Sequence, residues 1–305
     1  MFYLDEEAVR PLLGWNELIA AMETTLAAFS RGEIVQPVRD IIPVEEGRRY
    51  LGVMPAVGVD VMGLKLVSFY PVNAGSPHPT HNATIVLYRT ETGQPLAAMD
   101  GRLITEMRTA AVSAAVTARV APPQTRVLAL LGSGVQAHAH LEALRWVRTF
   151  DEVRVWSRTS EHAHRFARAH DVRAVDSPRE AVSGADVIVT VTSSRVPVLE
   201  GAWLKAGAHV NAVGSCRPDW RELDDAAMRN AVLVDSRDAA MAEAGDVILS
   251  GARIYAEVGE IFNGSVPPPA AQTTVFKSLG LACEDLAAAR LVADRKAFLT
   301  SERAV

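Results

Sequence analysis

Arg126-Val127-Leu128-Ala129-Leu130-Leu131-Gly132-Ser133-Gly134-Val135-Gln136-Ala137 passes from an unbroken apolar run, across two glycines, into a helix-forming sequence. The apolar run reads as a strand buried on both faces, Arg126–Leu131, and Val135–Val147 reads as the helix behind it. Gly132 allows the tight turn between them. Gly134 lets backbone N–H groups approach a pyrophosphate at the helix N-terminus, and Ala137 is the small residue where helix packs on strand. Outward from this turn the texture keeps alternating. A strand is expected at Val153–Ser157 and a helix at Ser160–Ala169. Further strands are expected at Val172–Val175, Asp186–Thr192, Ala208–Val213 and Val232–Asp235. Alternation at this period means βαβ units. The fold class is therefore α/β, with a Rossmann-type, doubly wound parallel sheet over residues 120–269 and a dinucleotide as its ligand.

The end of the second strand selects the dinucleotide. An NAD site usually offers an acid there for the ribose hydroxyls. This chain offers Trp156-Ser157-Arg158-Thr159. No carboxylate repels a 2′-phosphate, and Ser157, Arg158 and Thr159 can all donate to one. NADPH is the expected cofactor, with NADH the weaker alternative.

Residues 1–119 have a different texture. Asp5 can cap a first helix. A second, about Asn16–Arg31, carries Leu18, Ile19, Met22, Leu26 and Phe29 at helical spacing. Short β-like runs follow at Tyr50–Met54, Val61–Tyr70, Ala83–Arg89 and Pro95–Met99, with little helix between them, which points to an antiparallel or mixed sheet. A small-residue helix over about Leu103–Val120 ends at Pro122-Pro123, read as a hinge. The proline cluster Val266–Pro269 reads as a second hinge, with one long helix beyond it over Thr274–Lys296. A tail helix after a hinge often returns to the first domain, so the first domain is expected to be a discontinuous α+β domain of residues 1–119 plus 270–305.

Composition excludes several classes. Among 305 residues, 31 lysines and arginines face 36 aspartates and glutamates, a formal net charge of −5, which argues against a general nucleic-acid binder. Hydrophobic residues make up 49%, too many for intrinsic disorder. The acidic start, MFYLDEEAVRPLL, does not resemble a signal peptide, and no stretch approaches the roughly 18 apolar residues of a membrane span. Two cysteines, Cys216 and Cys283, make no disulfide framework. A cytoplasmic protein without membrane or nucleic-acid partners is expected.

Three cations stand out in the first region. Lys65 alternates with Val67 and Phe69 on one face of its strand, which fits a pocket with one cation among apolar walls; an edge-strand lysine guarding against aggregation is the plainer account. Arg108 lies in a small, apolar helix and needs an anionic partner, either Glu106 or a ligand. Arg39 has Asp40 beside it. Together they suit a substrate bearing a carboxylate. His81, in a loop before a strand, is either a site residue or a turn residue. The pairs His138/His140 and His162/His164 point to nearly opposite helix faces, so no metal is expected.

These residues are familiar as a set. QPVR (Gln36–Arg39), LGVMP (Leu51–Pro55), KLVSFY (Lys65–Tyr70), RTAAVSA (Arg108–Ala114), GSGVQA (Gly132–Ala137), NAVGSCRPDWREL (Asn211–Leu223), GDVILSG (Gly245–Gly251) and TTVFKSLG (Thr273–Gly280) span nearly the whole chain. The chain resembles the ornithine cyclodeaminase/mu-crystallin family, most closely its mu-crystallin (ketimine reductase) branch. That resemblance implies a homodimer of subunits with a substrate and dimerisation domain and an NAD(P)-binding domain. It implies that Arg39, Lys65 and Arg108 hold or face the substrate carboxylate, with Phe69 and Cys216 beside it. Ser133, Val135, Gln136, Ser157, Arg158, Thr159, Thr192 and Val213 would contact the dinucleotide. Thr80, His81, Asn82 and Ser278 would close over it from the other domain, and Arg108 would reach it too. Cys216 stands where ornithine cyclodeaminases carry an aspartate, and a mostly neutral thiol cannot replace that base. The implied activity is thus NADPH-dependent reduction of cyclic ketimine carboxylates to L-pipecolate or L-proline. Alternatives within the family are an alanine-type amino-acid dehydrogenase, an ornithine cyclodeaminase, or a non-enzymatic small-molecule (thyroid-hormone-like) binding protein.

Overall fold

The computed structural model describes residues 2–302. In chain order the elements begin β1 (Phe2–Leu4), α1 (Glu6–Val9), α2 (Trp15–Ser30), β2 (Asp40–Glu45), β3 (Arg49–Val57), β4 (Val61–Phe69), β5 (His81–Arg89), β6 (Pro95–Asp100) and α3 (Arg102–Val120). They continue β7 (Val127–Leu131), α4 (Val135–Val147), β8 (Glu152–Trp156), α5 (Ser160–His170), β9 (Arg173–Ala174), α6 (Pro178–Val182), β10 (Val187–Thr190), β11 (His209–Ala212) and α7 (Asp225–Met228). The last are β12 (Ala231–Val234), α8 (Arg237–Glu243), α9 (Gly245–Ser250), β13 (Ile254–Glu257), α10 (Val258–Phe262), β14 (Thr274–Lys277) and α11 (Ala282–Glu302). The chain divides into two compact units. One holds the described residues up to Arg108 and those from Leu281 onward; the other is Thr109–Gly280.

The first unit is a six-stranded mixed sheet in the order β1-β6-β5-β4-β3-β2. Its strands pair antiparallel except β1, which runs parallel to β6. Asp5 caps α1, accepting from the Ala8 amide at 2.9 Å. Leu18, Met22 and Leu26 of α2 are fully buried with Ile85, Leu87 and Met99 of the sheet, and α2 and α11 pack on one another.

The second unit is an eight-stranded, all-parallel sheet in the order β13-β12-β14-β11-β10-β7-β8-β9. From β7 the chain builds outward through β8 and β9, then returns to lay β10 and β11 on the other side. The direction of winding therefore reverses between β7 and β10, and the crevice at the C-terminal ends of those two strands is where such sheets bind ligands. Leu128, Leu130, Leu141, Leu144, Val155 and Phe166 form its core around β7 and α4.

Two expectations change. The first division falls inside α3, after Arg108, and not at Pro122-Pro123. The later half of α3 belongs to the second unit because its small polar residues are bonded there. Ser113 is 3.0 Å from His140 Nε2, and Thr117 accepts from Asn211 at 3.0 Å, all four side chains being fully buried. The second division falls after Gly280, beyond the Val266–Pro269 cluster, which lies within the second unit. The expected helix over Thr274–Lys296 is a strand, a turn and a helix. Thr274-Val275-Phe276-Lys277 inserts between β11 and β12, buried throughout, and Gly280 at φ +78° turns the chain before α11. A short apolar run reads equally as buried strand or buried helix, and here the vacancy in the parallel sheet decides.

Candidate functional site

In the first unit, Lys65 is the only fully buried residue of β4, flanked in register by Met54 and Ile85. β4 is an interior strand, so Lys65 is not an edge lysine. Its Nζ lies 2.6 Å from Asp285 Oδ2 and 3.4 Å from the Thr105 hydroxyl. Arg108 is 3% exposed; its Nε donates to Asp285 Oδ1 at 2.9 Å and its Nη1 to Glu284 Oε2 at 2.6 Å. Asp285 thus bridges the two cations. Both acids are fully buried in the first turn of α11, where a helix N-terminus favours negative charge. The Gln36 side chain accepts from the Cys283 amide at 2.8 Å, fixing that turn against the segment that carries Arg39.

Burial lowers the Lys65 pKa to about 8; Arg108 and Arg39 lower it as well, against the raising effect of Asp285. Burial, with Lys65 adding to it, lowers the His81 pKa to about 4, so its imidazole is neutral near pH 7. Lys65 and Arg108 are thus paired with the two buried carboxylates Asp285 and Glu284, and the half-buried Arg39 acts on Lys65 as a further cation. Phe69 ends β4, paired in register with His81, while Ser68 pairs with Asn82. Thr80 accepts from the Tyr70 amide at 2.8 Å, and Phe69 stacks on Tyr50 with centroids 6.5 Å apart. Arg39, Lys65, Phe69, Thr80, His81, Asn82 and Arg108 all belong to this unit.

In the second unit, the Gly132 amide donates to Trp156 O at 2.8 Å, joining the ends of β7 and β8. Gly132 has φ +119°, and a Cβ there would sit 2.7 Å from Val191 O. Gly134 caps α4 without a side chain, and a Cβ on it would meet open space. Gly132 is thus required by the protein's own packing, whereas Gly134 leaves room for something outside it. Ser133 and Val135 flank Gly134, Val135 being 52% exposed. The Gln136 side-chain oxygen and the Ser215 hydroxyl are buried without a hydrogen-bond partner. Ala137 is fully buried. At the end of β8, Arg158 is exposed with no carboxylate on it among the described residues, and Thr159 precedes α5 without spending its hydroxyl as a cap. These are the features of a dinucleotide cradle: glycines where phosphate oxygens approach, orphaned polar atoms at the rim, and an uncommitted arginine.

Thr192 follows β10, Val213 follows β11, and the Val213 amide donates to Thr190 O at 2.9 Å. Ser278 requires a correction. It follows β14 within the second unit, its amide donating to Ala212 O at 3.0 Å, so it lies in the same unit as the glycine turn and not in the other one. The long-helix reading of Thr274–Lys296 had hidden this. Cys216 is partly exposed on the loop after β11, its thiol donating to Val213 O at 3.7 Å. Among the described residues no three His, Cys, Asp or Glu side chains are grouped to hold a metal, and no helix is long and apolar enough to cross a membrane. Glu284, Asp285 and the fully buried Glu222 are among the buried charged residues that the sequence did not single out. The first two carried a signal, being adjacent acids at a helix start.

The model of the ornithine cyclodeaminase/mu-crystallin family matches residues 3–298. The chain is 51% identical over 301 residues to the ketimine reductase mu-crystallin of Mus musculus, covering 96% of each. Among solved structures, the Δ1-pyrroline-2-carboxylate reductase of Thermococcus litoralis in complex with NADH and L-proline superposes with a TM-score of 0.91 at 32% identity, covering 96% of this chain and 97% of that one. An archaeal alanine dehydrogenase dimer with bound NAD superposes at 0.89 and 30% identity, covering 96% and 94%.

Proposed function

This chain belongs to the ornithine cyclodeaminase/mu-crystallin family, and from that premise we propose that it is an NADPH-dependent reductase of cyclic ketimine carboxylates, converting Δ1-piperideine-2-carboxylate or Δ1-pyrroline-2-carboxylate to L-pipecolate or L-proline. The observation that carries the reading is the Lys65–Asp285–Arg108–Glu284 cluster, a buried set of paired charges with one lysine tuned toward neutrality.

NADPH, when bound in the cradle of the second unit, supplies the hydride for the imine carbon. Gly132, Ser133 and Gly134 take its pyrophosphate, Ser157, Arg158 and Thr159 its 2′-phosphate, and Gln136, Thr192, Val213 and Ser278 border the rest. Arg108 and Arg39 hold the substrate carboxylate. Lys65 donates the proton that the imine nitrogen gains as its carbon is reduced. With a pKa of about 8 its ammonium is populated at neutral pH, yet gives up a proton far more readily than an ordinary lysine. Asp285 keeps Lys65 oriented, and the neutral His81 adds no competing charge. The reaction needs one hydride and one proton per imine and forms no covalent bond to the enzyme.

The test is oxidation of NADPH, followed at 340 nm, with each cyclic imine and separately with pyruvate plus ammonia. Faster turnover of the cyclic imines supports the reading, while pyruvate plus ammonia as the better pair makes the enzyme an alanine-type dehydrogenase. L-Ornithine with NAD should release no ammonia at a useful rate, because Cys216 supplies no carboxylate; steady ammonia release would overturn that distinction. The cofactor preference is expected to rest on Arg158. Arg158→Ala should lower the NADPH-over-NADH ratio of kcat/KM by about ten- to a hundredfold through loss of a charge-assisted contact, and an unchanged ratio would assign the 2′-phosphate to other groups.

A homodimer in the cytoplasm completes this reading. β2 is an edge strand whose Ile41, Ile42 and Val44 are 40%, 49% and 57% exposed, an apolar strip of the kind a second copy covers. Neither Cys216 nor Cys283 is in a disulfide, which suits a reducing compartment.

A further inference from the structure

The segment Arg217-Pro218-Asp219-Trp220-Arg221-Glu222-Leu223 is distinctive in the sequence and carries none of the roles above. Its Glu222 side chain is fully buried and accepts four hydrogen bonds. Oε1 takes the Thr192 amide at 2.7 Å and the Thr192 hydroxyl at 2.6 Å. Oε2 takes the Gly214 amide at 2.7 Å and the Thr190 hydroxyl at 2.8 Å. One carboxylate therefore pins the loop that leaves β10 and the loop that leaves β11. Those loops touch: a Cβ on Gly214 would collide with the Thr192 backbone and with Glu222 Oε1, so only glycine lets them close.

The carboxylate is itself anchored. Asp246 Oδ1 accepts from the Glu222 and Leu223 amides at 2.8 and 3.0 Å, and Asp246 Oδ2 lies 3.1 Å from Lys277 Nζ, both side chains fully buried. Burial pushes the Glu222 carboxyl above its ordinary range, against the pull of Lys277 and Thr192. Four donors occupy its lone pairs, two of them backbone amides that cannot turn round to accept.

We propose that Glu222 is a positioning residue for the dinucleotide, holding Thr192 and the Val213-Gly214 peptide in the geometry that receives the cofactor without touching it. The inference rests on the reading of the second unit as the NADPH-binding unit, and it adds the element that aligns the two loops. A carboxylate suits the task because it offers acceptors on both sides. An amide at the same place sets an NH2 group against a backbone N–H and releases one loop.

Direct titration of NADPH fluorescence, without substrate, tests the proposal in wild type, Glu222→Gln and Thr190→Val. Thr190 is fully buried, so Thr190→Val removes one of the four donors without altering any surface. Glu222→Gln should weaken NADPH binding about tenfold or more and Thr190→Val a few-fold. At saturating NADPH, kcat and the KM for the cyclic imine should stay within about twofold of wild type. A purely structural Glu222 would lower the melting temperature and leave the NADPH Kd unchanged. If Glu222→Gln does not fold, Thr190→Val decides by the same measurement. A wild type that binds, with unchanged Kd in the folded variants, overturns this inference alone; a wild type that binds no dinucleotide overturns the reading of the unit as well.

Discussion

Lys65→Ala should lower kcat/KM for Δ1-piperideine-2-carboxylate by at least about ten- to a hundredfold, since it removes both a proton donor and a charge-assisted contact. Its pH signature separates these roles from loss of structure. The group must carry its proton to act, and burial lowers its pKa to about 8. Wild-type kcat/KM should therefore be level below that pH and fall roughly tenfold per unit above it. In Lys65→Ala that limb should vanish, leaving only the titration of the imine. NADPH should still bind, its phosphate cradle being formed by residues of the second unit. An alanine variant with wild-type kinetics would remove Lys65 from the mechanism, and one that melts early and loses NADPH as well would make the residue structural.

Asp285→Asn should be the most destabilising single change in the first unit. Asp285 is fully buried between Lys65 at 2.6 Å and Arg108 at 2.9 Å. Although burial alone pushes its carboxyl up, Arg108 and Lys65 hold it below the ordinary aspartate range. An amide fills the space but leaves two buried cations short of a counter-charge, a loss of about 3–5 kcal/mol. Thermal unfolding would show it as a drop of several degrees. The sign with pH follows from the lowered pKa. The contribution is complete above about pH 4, where an unfolded aspartate ionises, and is lost as pH falls through the lower folded value. Wild type should therefore lose stability in strong acid over a window in which Asp285→Asn, weaker throughout, changes less. Equal melting temperatures at neutral pH would show that Glu284 alone neutralises the site.

The second unit was legible because its signals are local. Gly132 and Gly134 sit at a strand-to-helix junction, and each following strand is an apolar run bounded by turns, so composition and period agree. β14 escaped because four buried residues carry no period of their own; its identity depends on a gap between β11 and β12 that only the assembled sheet contains. The site divides in the same way. Lys65 announced itself as a charge among apolar neighbours, and Arg108 as a large cation among alanines. Their partners did not, because Asp285 lies 177 residues beyond Arg108 and acids opening a helix are ordinary. Glu222 was silent for a related reason: its four donors come from segments 8 to 32 residues away, and a buried carboxylate looks like any other glutamate until those segments are placed.

The counter-charges on α11 bear on how the protein is made. A ribosome adds about 5–20 residues per second, so Arg108 is synthesised roughly 10–35 s before the acids that neutralise it. Throughout that interval the growing chain carries Lys65 and Arg108 without Glu284 and Asp285, and its first sheet without the last helix that packs on it. Thr109–Gly280, by contrast, is contiguous and complete in the nascent chain before α11 is translated. Assembly is thus ordered by the genetic message: the inserted unit can mature during translation, while the unit that opens the chain must wait for its final segment. A message truncated shortly before the codon for Glu284 would yield a polypeptide with its nucleotide fold whole and its cationic centre unneutralised, a natural target for quality control.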